Sequence, residues 1–84
     1  MNITLRFFAS VREALGTSAE TLAVPDGVKT VGELRAHLAA RGGMWQEALG
    51  SASLRMACNQ VMCSADTALA DGCEVAFFPP VTGG

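Results

Sequence analysis

Two consecutive prolines, Pro79 and Pro80, stand directly behind the apolar run Val75-Ala76-Phe77-Phe78. Proline locks φ and carries no backbone N–H, so a strand ladder cannot pass through such a pair. The backbone beyond is pushed into extended or polyproline-like geometry. The pattern therefore predicts a last strand that ends at Phe78, a domain spanning 1–78 and an extended, flexible tail spanning 79–84. Six residues of tail reach on the order of 20 Å from the domain.

The tail reads Pro79-Pro80-Val81-Thr82-Gly83-Gly84. Glycine lacks a Cβ, so a Gly-Gly end fits a channel too narrow for other residues. That suits a terminal carboxylate threaded into an enzyme active site. A carboxylate is a poor electrophile because it is already anionic. Adenylation by ATP would convert it to a mixed anhydride open to a sulfur or amine nucleophile. The reacting group would be Gly84 itself, with Gly83 as clearance beside it. Chain ends rich in small residues are also commonly just frayed. The placement of Gly-Gly after strand, Pro-Pro and a short spacer favours the functional reading.

The sequence has 84 residues, which is one domain's worth. A domain this small buries roughly 60–65% of its unfolded surface, leaving little room for an internal ligand cavity. Half the residues are apolar and 17% are charged, as in a globular domain with a real core. The six basic residues are scattered and the net charge is −2, so no patch for nucleic acid or anionic lipid is expected. No apolar stretch approaches a membrane span and the N-terminus has no signal-peptide pattern, so a cytoplasmic location is expected.

Cys58, Cys63 and Cys73 lack zinc-type spacing and are expected to be free, small, packed hydrophobes. His37, the one histidine, sits mid-helix and is expected to be an ordinary exposed or half-exposed residue. There is no nucleophile–base constellation, phosphate loop or metal site, so no catalysis is expected of this chain alone and no bound cofactor.

Strand alternation opens the chain: Ile3, Leu5 and Phe7 share one face, and Asn2, Thr4 and Arg6 the other, over 2–8. Ser10 is expected to cap a short helix over 11–15, stopped by Gly16. A second strand over 20–24 is closed by the turn Pro25-Asp26-Gly27. Thr30-Val31-Gly32-Glu33 has the capping-box pattern. The helix it opens carries Val31, Leu34 and Leu38 on one stripe and is expected to run to Gly42-Gly43. A short helical turn over 44–49 would let Trp45 pack back on the domain. Strands over 54–58 and 61–63 flank an Asn59-Gln60 turn. Leu69 anchors the next loop, Asp71-Gly72 turns it, and 74–78 is the last strand. The order β-α-β-α-β-β-β predicts an α+β fold with a mixed sheet of about five strands, one main helix and short extra helices.

Alternation also predicts a surface. Val75 and Phe77 should face the helix, with Glu74, Ala76 and Phe78 on the open face. Phe8 belongs to that outer face of the first strand, and Met62 points outward from the hairpin. Two phenylalanines and a methionine on one open face exceed scattered exposure and favour a partner surface beside the tail. The alternative is that the short helix or a loop covers them.

The run Asp71-Gly72-Cys73-Glu74-Val75-Ala76-Phe77-Phe78-Pro79-Pro80, the end Val81-Thr82-Gly83-Gly84, the segment Phe7-Phe8-Ala9-Ser10-Val11-Arg12-Glu13 and Asn59-Gln60 together resemble the family of molybdopterin synthase small subunits. The resemblance spans the whole chain. Cys73 departs from it, standing where an acidic residue usually follows Asp-Gly, and a local effect is expected. The resemblance implies a ubiquitin-like β-grasp fold and a sulfur carrier in molybdenum cofactor biosynthesis. An adenylyltransferase similar to ubiquitin-activating enzymes would adenylate Gly84 with ATP. A persulfide sulfur donor would then leave a thiocarboxylate, a C-terminal 1-thioglycine. The large synthase subunit would receive the tail, and the sulfur would pass to cyclic pyranopterin monophosphate, in a heterotetramer with two small subunits. On this footing Phe8, Met62 and Phe78 form the apolar contact, and Pro79, Pro80, Val81 and Thr82 the lead-in. Two other readings stand beside it. One is a related carrier for thiamine thiazole synthesis or protein modification; the other is a non-carrier β-grasp interaction module.

Overall fold

The computed structural model describes residues 1–80 of the chain. The tail residues Val81, Thr82, Gly83 and Gly84 lie outside them. The elements run β1 (Asn2–Phe7), α1 (Ala9–Leu15), β2 (Ala19–Ala23), α2 (Val31–Ala39), α3 (Met44–Leu49), β3 (Arg55–Cys58), β4 (Val61–Met62) and β5 (Glu74–Phe78). One five-stranded mixed sheet has the order β2-β1-β5-β3-β4. Its central pair, β1 and β5, is parallel, with Leu5 opposite Val75 and Phe7 opposite Phe77. The other pairings are antiparallel. This is the expected α+β, ubiquitin-like arrangement, with the last strand in the middle of the sheet.

The helix side of the sheet is the core. Ile3, Leu5 and Phe7 of β1 and Val75 and Phe77 of β5 are fully buried beneath Val31, Leu34 and Leu38 of α2. Phe7 and Phe77 stack with centroids 6.1 Å apart, and Trp45 meets Phe7 edge-on at 5.6 Å. Burying each phenylalanine contributes on the order of 2–3 kcal/mol, so this trio anchors the strand ends from which the tail leaves.

α2 starts where the capping box predicts: the Glu33 N–H donates to Thr30 Oγ1 at 3.1 Å, and the Thr30 N–H donates to Glu33 Oε1 at 3.1 Å. It ends at Ala39 rather than at the glycines, because the Arg41 and Gly42 amides turn back to the Leu38 and Ala39 carbonyls. The predicted Ser10 cap is not the one formed. Phe8 stays extended at φ −127°, and its N–H donates to the Phe77 carbonyl at 3.2 Å. The chain then turns sharply at Ala9, with φ 52°, so the helix begins there and the Phe8 carbonyl accepts from Val11 and Arg12. Ser10 falls inside the first turn, where it cannot cap. Gly16 ends α1 in the left-handed region as expected.

The strand boundaries shift by a residue from those expected. β2 is displaced to Ala19–Ala23, β3 begins at Arg55, and β4 is only two residues long. Asn59 and Gln60 both have positive φ, 50° and 67°, which makes the hairpin turn a primed one. The Asn59 side chain accepts the Glu74 N–H at 3.0 Å and ties the turn to the start of β5.

Candidate docking surface and carrier end

Register decides which side chains share the open face. Residues directly opposite one another point the same way, and the side chain two positions along the same strand follows. Arg6 lies opposite Ala76, Ala76 opposite Ala57 and Ala57 opposite Met62, which makes one row across four strands. The next row towards the C-terminal end of β5 holds Phe8, Phe78 and Arg55, with Arg55 opposite Phe78. Phe8, Met62 and Phe78 therefore lie on one face, opposite the helices, as alternation predicted.

Their exposure differs. Phe8 is 42% exposed and Met62 62%, so neither is covered by α1 or by a loop. Phe78 is half-buried and stands outside the core cluster. Phe8, one residue past β1 with its N–H bonded to the Phe77 carbonyl, extends the β1–β5 pairing alongside Phe78. Met62 is two strands beyond Phe78, roughly 10 Å away at the usual strand spacing, with Arg55 between. Ala76 is buried although it faces outward, because a single methyl on the central strand is shaded by the larger side chains around it. Val61 has the helix-side parity yet is 67% exposed, since β4 is a short edge strand past the reach of the helices.

The patch is edged with charge. Arg6 places its guanidinium 5.7 Å from the Phe8 ring centroid and 3.9 Å from Glu74. Arg55 is exposed between Phe78 and Met62. Small alanines at the centre, aromatic and thioether groups around them and arginines beside them make a flat surface suited to protein contact. Alternation placed Arg6 on this face; the part played by Arg55, Ala57 and Ala76 became visible only with the β3–β5 register.

Pro79 and Pro80 continue from β5 and are half-buried. They leave the sheet beside Phe8 and Phe78, at the edge of the apolar patch. The candidate reacting residues Gly83 and Gly84, and Val81 and Thr82 of the lead-in, lie outside the described residues. A shallow groove of about 300 Å³ runs between α1 and α3, lined by Val11, Ala14, Met44 and Ala48 with Ser10, Glu47 and Ser51. Glu47 is its one titratable side chain. Among the described residues no group of histidine, cysteine, aspartate and glutamate is placed to hold a metal ion, and no helix is long and apolar enough to cross a membrane. What the described arrangement offers is an open face with an apolar patch, beside which the chain leaves the sheet at Pro79-Pro80.

Known proteins share this whole plan. The ThiS family matches residues 5–84. The chain is 50% identical, over 98% of its length and 99% of the relative's, to the molybdopterin synthase sulfur carrier subunit of Escherichia coli. It is 40% identical, over the same shares, to the protein of that name from Haemophilus influenzae. Among solved structures it matches a chain of the complex of subunits 1 and 2 of the molybdopterin-converting factor from Helicobacter pylori, at 27% identity and a TM-score of 0.71, with both chains fully covered.

Proposed function

The chain belongs to the ThiS family, and from that premise we propose that it is the sulfur-carrier subunit of a molybdopterin synthase. The observation that carries this reading is the coincidence of two features at one end of the sheet. The last strand is central and immobilised on both sides, and it stops at Pro79-Pro80 beside an apolar patch. A carrier needs both: a docking surface that fixes its orientation, and a chain end launched from a rigid base.

In this mechanism the side chains do no chemistry. A partner enzyme adenylates the Gly84 carboxylate with ATP, releasing pyrophosphate. The terminal sulfur of a persulfide displaces AMP to form an acyl disulfide. A thiol then attacks the donor's sulfur, breaking the S–S bond to leave the thiocarboxylate and a disulfide. The large synthase subunit then binds the open face through Phe8, Phe78 and Met62 and takes the tail into its active site. The small domain contributes position, and the glycines contribute clearance. The thiocarboxylate sulfur bonds to cyclic pyranopterin monophosphate as a thioester. Water then breaks its acyl C–S bond, so the sulfur stays on the substrate and the carrier leaves with a carboxylate again.

The test is the intact mass of the chain after incubation with its adenylating enzyme, ATP and a sulfur donor. The expected result is a gain equal to sulfur replacing oxygen, absent from a variant lacking Gly83-Gly84. An unchanged mass, with the same enzyme active on another carrier, would overturn the reading and leave a β-grasp binding module.

A further inference from the structure

Phe78 and Met62 stand on either side of a charge. Arg55 lies opposite Phe78 in the β3–β5 register, and Met62 lies opposite Ala57, two positions along β3 from Arg55. Neighbouring strands are roughly 5 Å apart, so a protein that covers both apolar groups covers Arg55 as well. The Arg55 side chain is exposed. It is therefore inside the patch and not at its rim.

Nothing in the described part of the molecule answers that charge. The ion pairs among the described residues join Arg6 to Glu74 at 3.9 Å and Arg41 to Glu20 at 2.6 Å, and neither involves Arg55. Arg35 donates to the Leu49 and Ser51 carbonyls on the helix side. The charged strand residues of the open face are Arg6, Arg55 and Glu74, so that face is net positive in a chain whose net charge is −2. Arg6 is partly answered by Glu74, which leaves Arg55 as the source of the excess.

Docking strips water from an arginine at such a position. Against an apolar or basic surface the guanidinium loses its hydration and gains no partner, a cost set directly against the contacts of Phe78 and Met62. A facing carboxylate reverses this, because the guanidinium fork matches its two oxygens. Charge complementarity thus names the chemistry of the partner at one point.

We propose that the large synthase subunit meets this face with an aspartate or glutamate placed between its contacts to Phe78 and Met62, and that Arg55 selects the partner by pairing with that carboxylate. The inference rests on the carrier reading above and deepens it. The surface it calls for is apolar where it meets Phe8, Phe78 and Met62 and acidic where it meets Arg55. A large subunit with an apolar or basic residue at that point is rejected, since it would bury an unpaired charge.

The full chain is titrated against the large subunit from the same organism, at low and at high salt. Arg55→Leu is the sharpest variant, because leucine adds apolar surface to an apolar patch. If the facing group is a carboxylate, the variant binds about thirtyfold more weakly at low salt, as when one member of a covered charge pair is removed. Arg55→Glu binds weaker again by roughly tenfold, since like charges then face each other. Raising the salt weakens the unaltered chain and relieves Arg55→Glu, so the two approach one another. Lys29→Gln, which removes an exposed charge in the loop before α2, binds as the unaltered chain does. Both Arg55 variants keep the fold, as a thermal melt of each checks, because Arg55 is exposed and outside the ion pairs. Arg55→Leu binding as tightly as the unaltered chain, or more tightly, overturns the proposal and leaves the carrier reading standing. So does Arg55→Glu binding no more weakly than Arg55→Leu, or an equal loss in Lys29→Gln. An unaltered chain that does not bind the large subunit overturns both.

Discussion

At the scale of single residues, two backbone positions show how space and conformation select a side chain. Gly32, the second residue of α2, lies against the loop that crosses the helix start. Its N–H donates to the Ala65 carbonyl at 2.9 Å, and a Cβ there would meet the Ala65 Cβ at 2.8 Å and its oxygen at 3.0 Å. Alanine in place of glycine gains up to about 1 kcal/mol of helix preference. Forcing the loop away costs about 1–3 kcal/mol and strains the bond that holds it. The clash wins: Gly32→Ala is expected to destabilise the fold by about 1–2 kcal/mol, read as a lower denaturation midpoint. Gln60 is the converse case. It holds φ 67° in the hairpin turn, where a Cβ is unfavourable by about 1–2 kcal/mol. Gln60→Gly completes the favoured Asn-Gly turn and is expected to stabilise by about 1 kcal/mol. An unchanged or lower midpoint would show that the Gln60 side chain makes a contact worth more than the strain.

Between elements, one charged clamp joins the sheet edge to the helix layer. Arg41, just past α2, makes a bidentate pair with Glu20 of β2 at 2.6 and 3.0 Å and lies 4.3 Å from the Trp45 ring centroid. The hydrogen bonds from Arg41 hold the Glu20 carboxyl below the usual carboxylate range. A pKa depressed on folding contributes stability above the unfolded value, and that contribution is lost as pH falls through the folded one. Glu20→Gln is therefore expected to cost about 0.5–1 kcal/mol at neutral pH, since the pair is partly solvated, and nothing once the medium is acidic enough to protonate Glu20. Stability measured against pH should show the two proteins converging at the acid end; a constant gap would mean that shape, not charge, is what the clamp supplies. No periodicity in the sequence announces this pair, because its partners are brought together by β1–β2 pairing and a loop. The same limit explains the rest of what the sequence left hidden. Alternation, the capping box and Gly16 are local signals, and they placed the core faces, the start of α2 and the end of α1 correctly, whereas the end of α2 was expected three residues too late. The false Ser10 cap arose because the Phe8 amide is claimed by Phe77 across the sheet, which extends the strand and starts the helix at Ala9. The row Arg6-Ala76-Ala57-Met62 depends on register between distant strands. Phe8, Met62 and Phe78 were legible as a surface because each needed only the parity of its own strand.

Across the whole molecule, the sheet separates a fully buried face from an open, partly apolar one. Its helix side buries Phe7, Phe77, Val75 and Leu5 completely, while the side facing away carries exposed Phe8 and Met62 and half-buried Phe78, with no described helix over them. Position 78 is the sharpest probe of that division, being one residue from the buried Phe77 and one from the first proline. If the open face is the docking surface, Phe78→Glu places a carboxylate at an interface centre that is apolar. Binding to the large synthase subunit should weaken by about 2–4 kcal/mol, as for an anchor residue in a desolvated contact. The isolated domain should keep its fold, because a half-exposed side chain outside the core cluster can turn its carboxylate to water. Arg55, directly opposite on β3, offers that carboxylate a partner in the free protein and so further spares stability. Calorimetric titration against the large subunit and a thermal melt of the free variant separate the two effects. Weak binding with an intact melt assigns Phe78 to recognition. A collapsed melt would instead place Phe78 in the fold's own foundation, and the docking surface would have to be sought around Phe8 and Met62 alone.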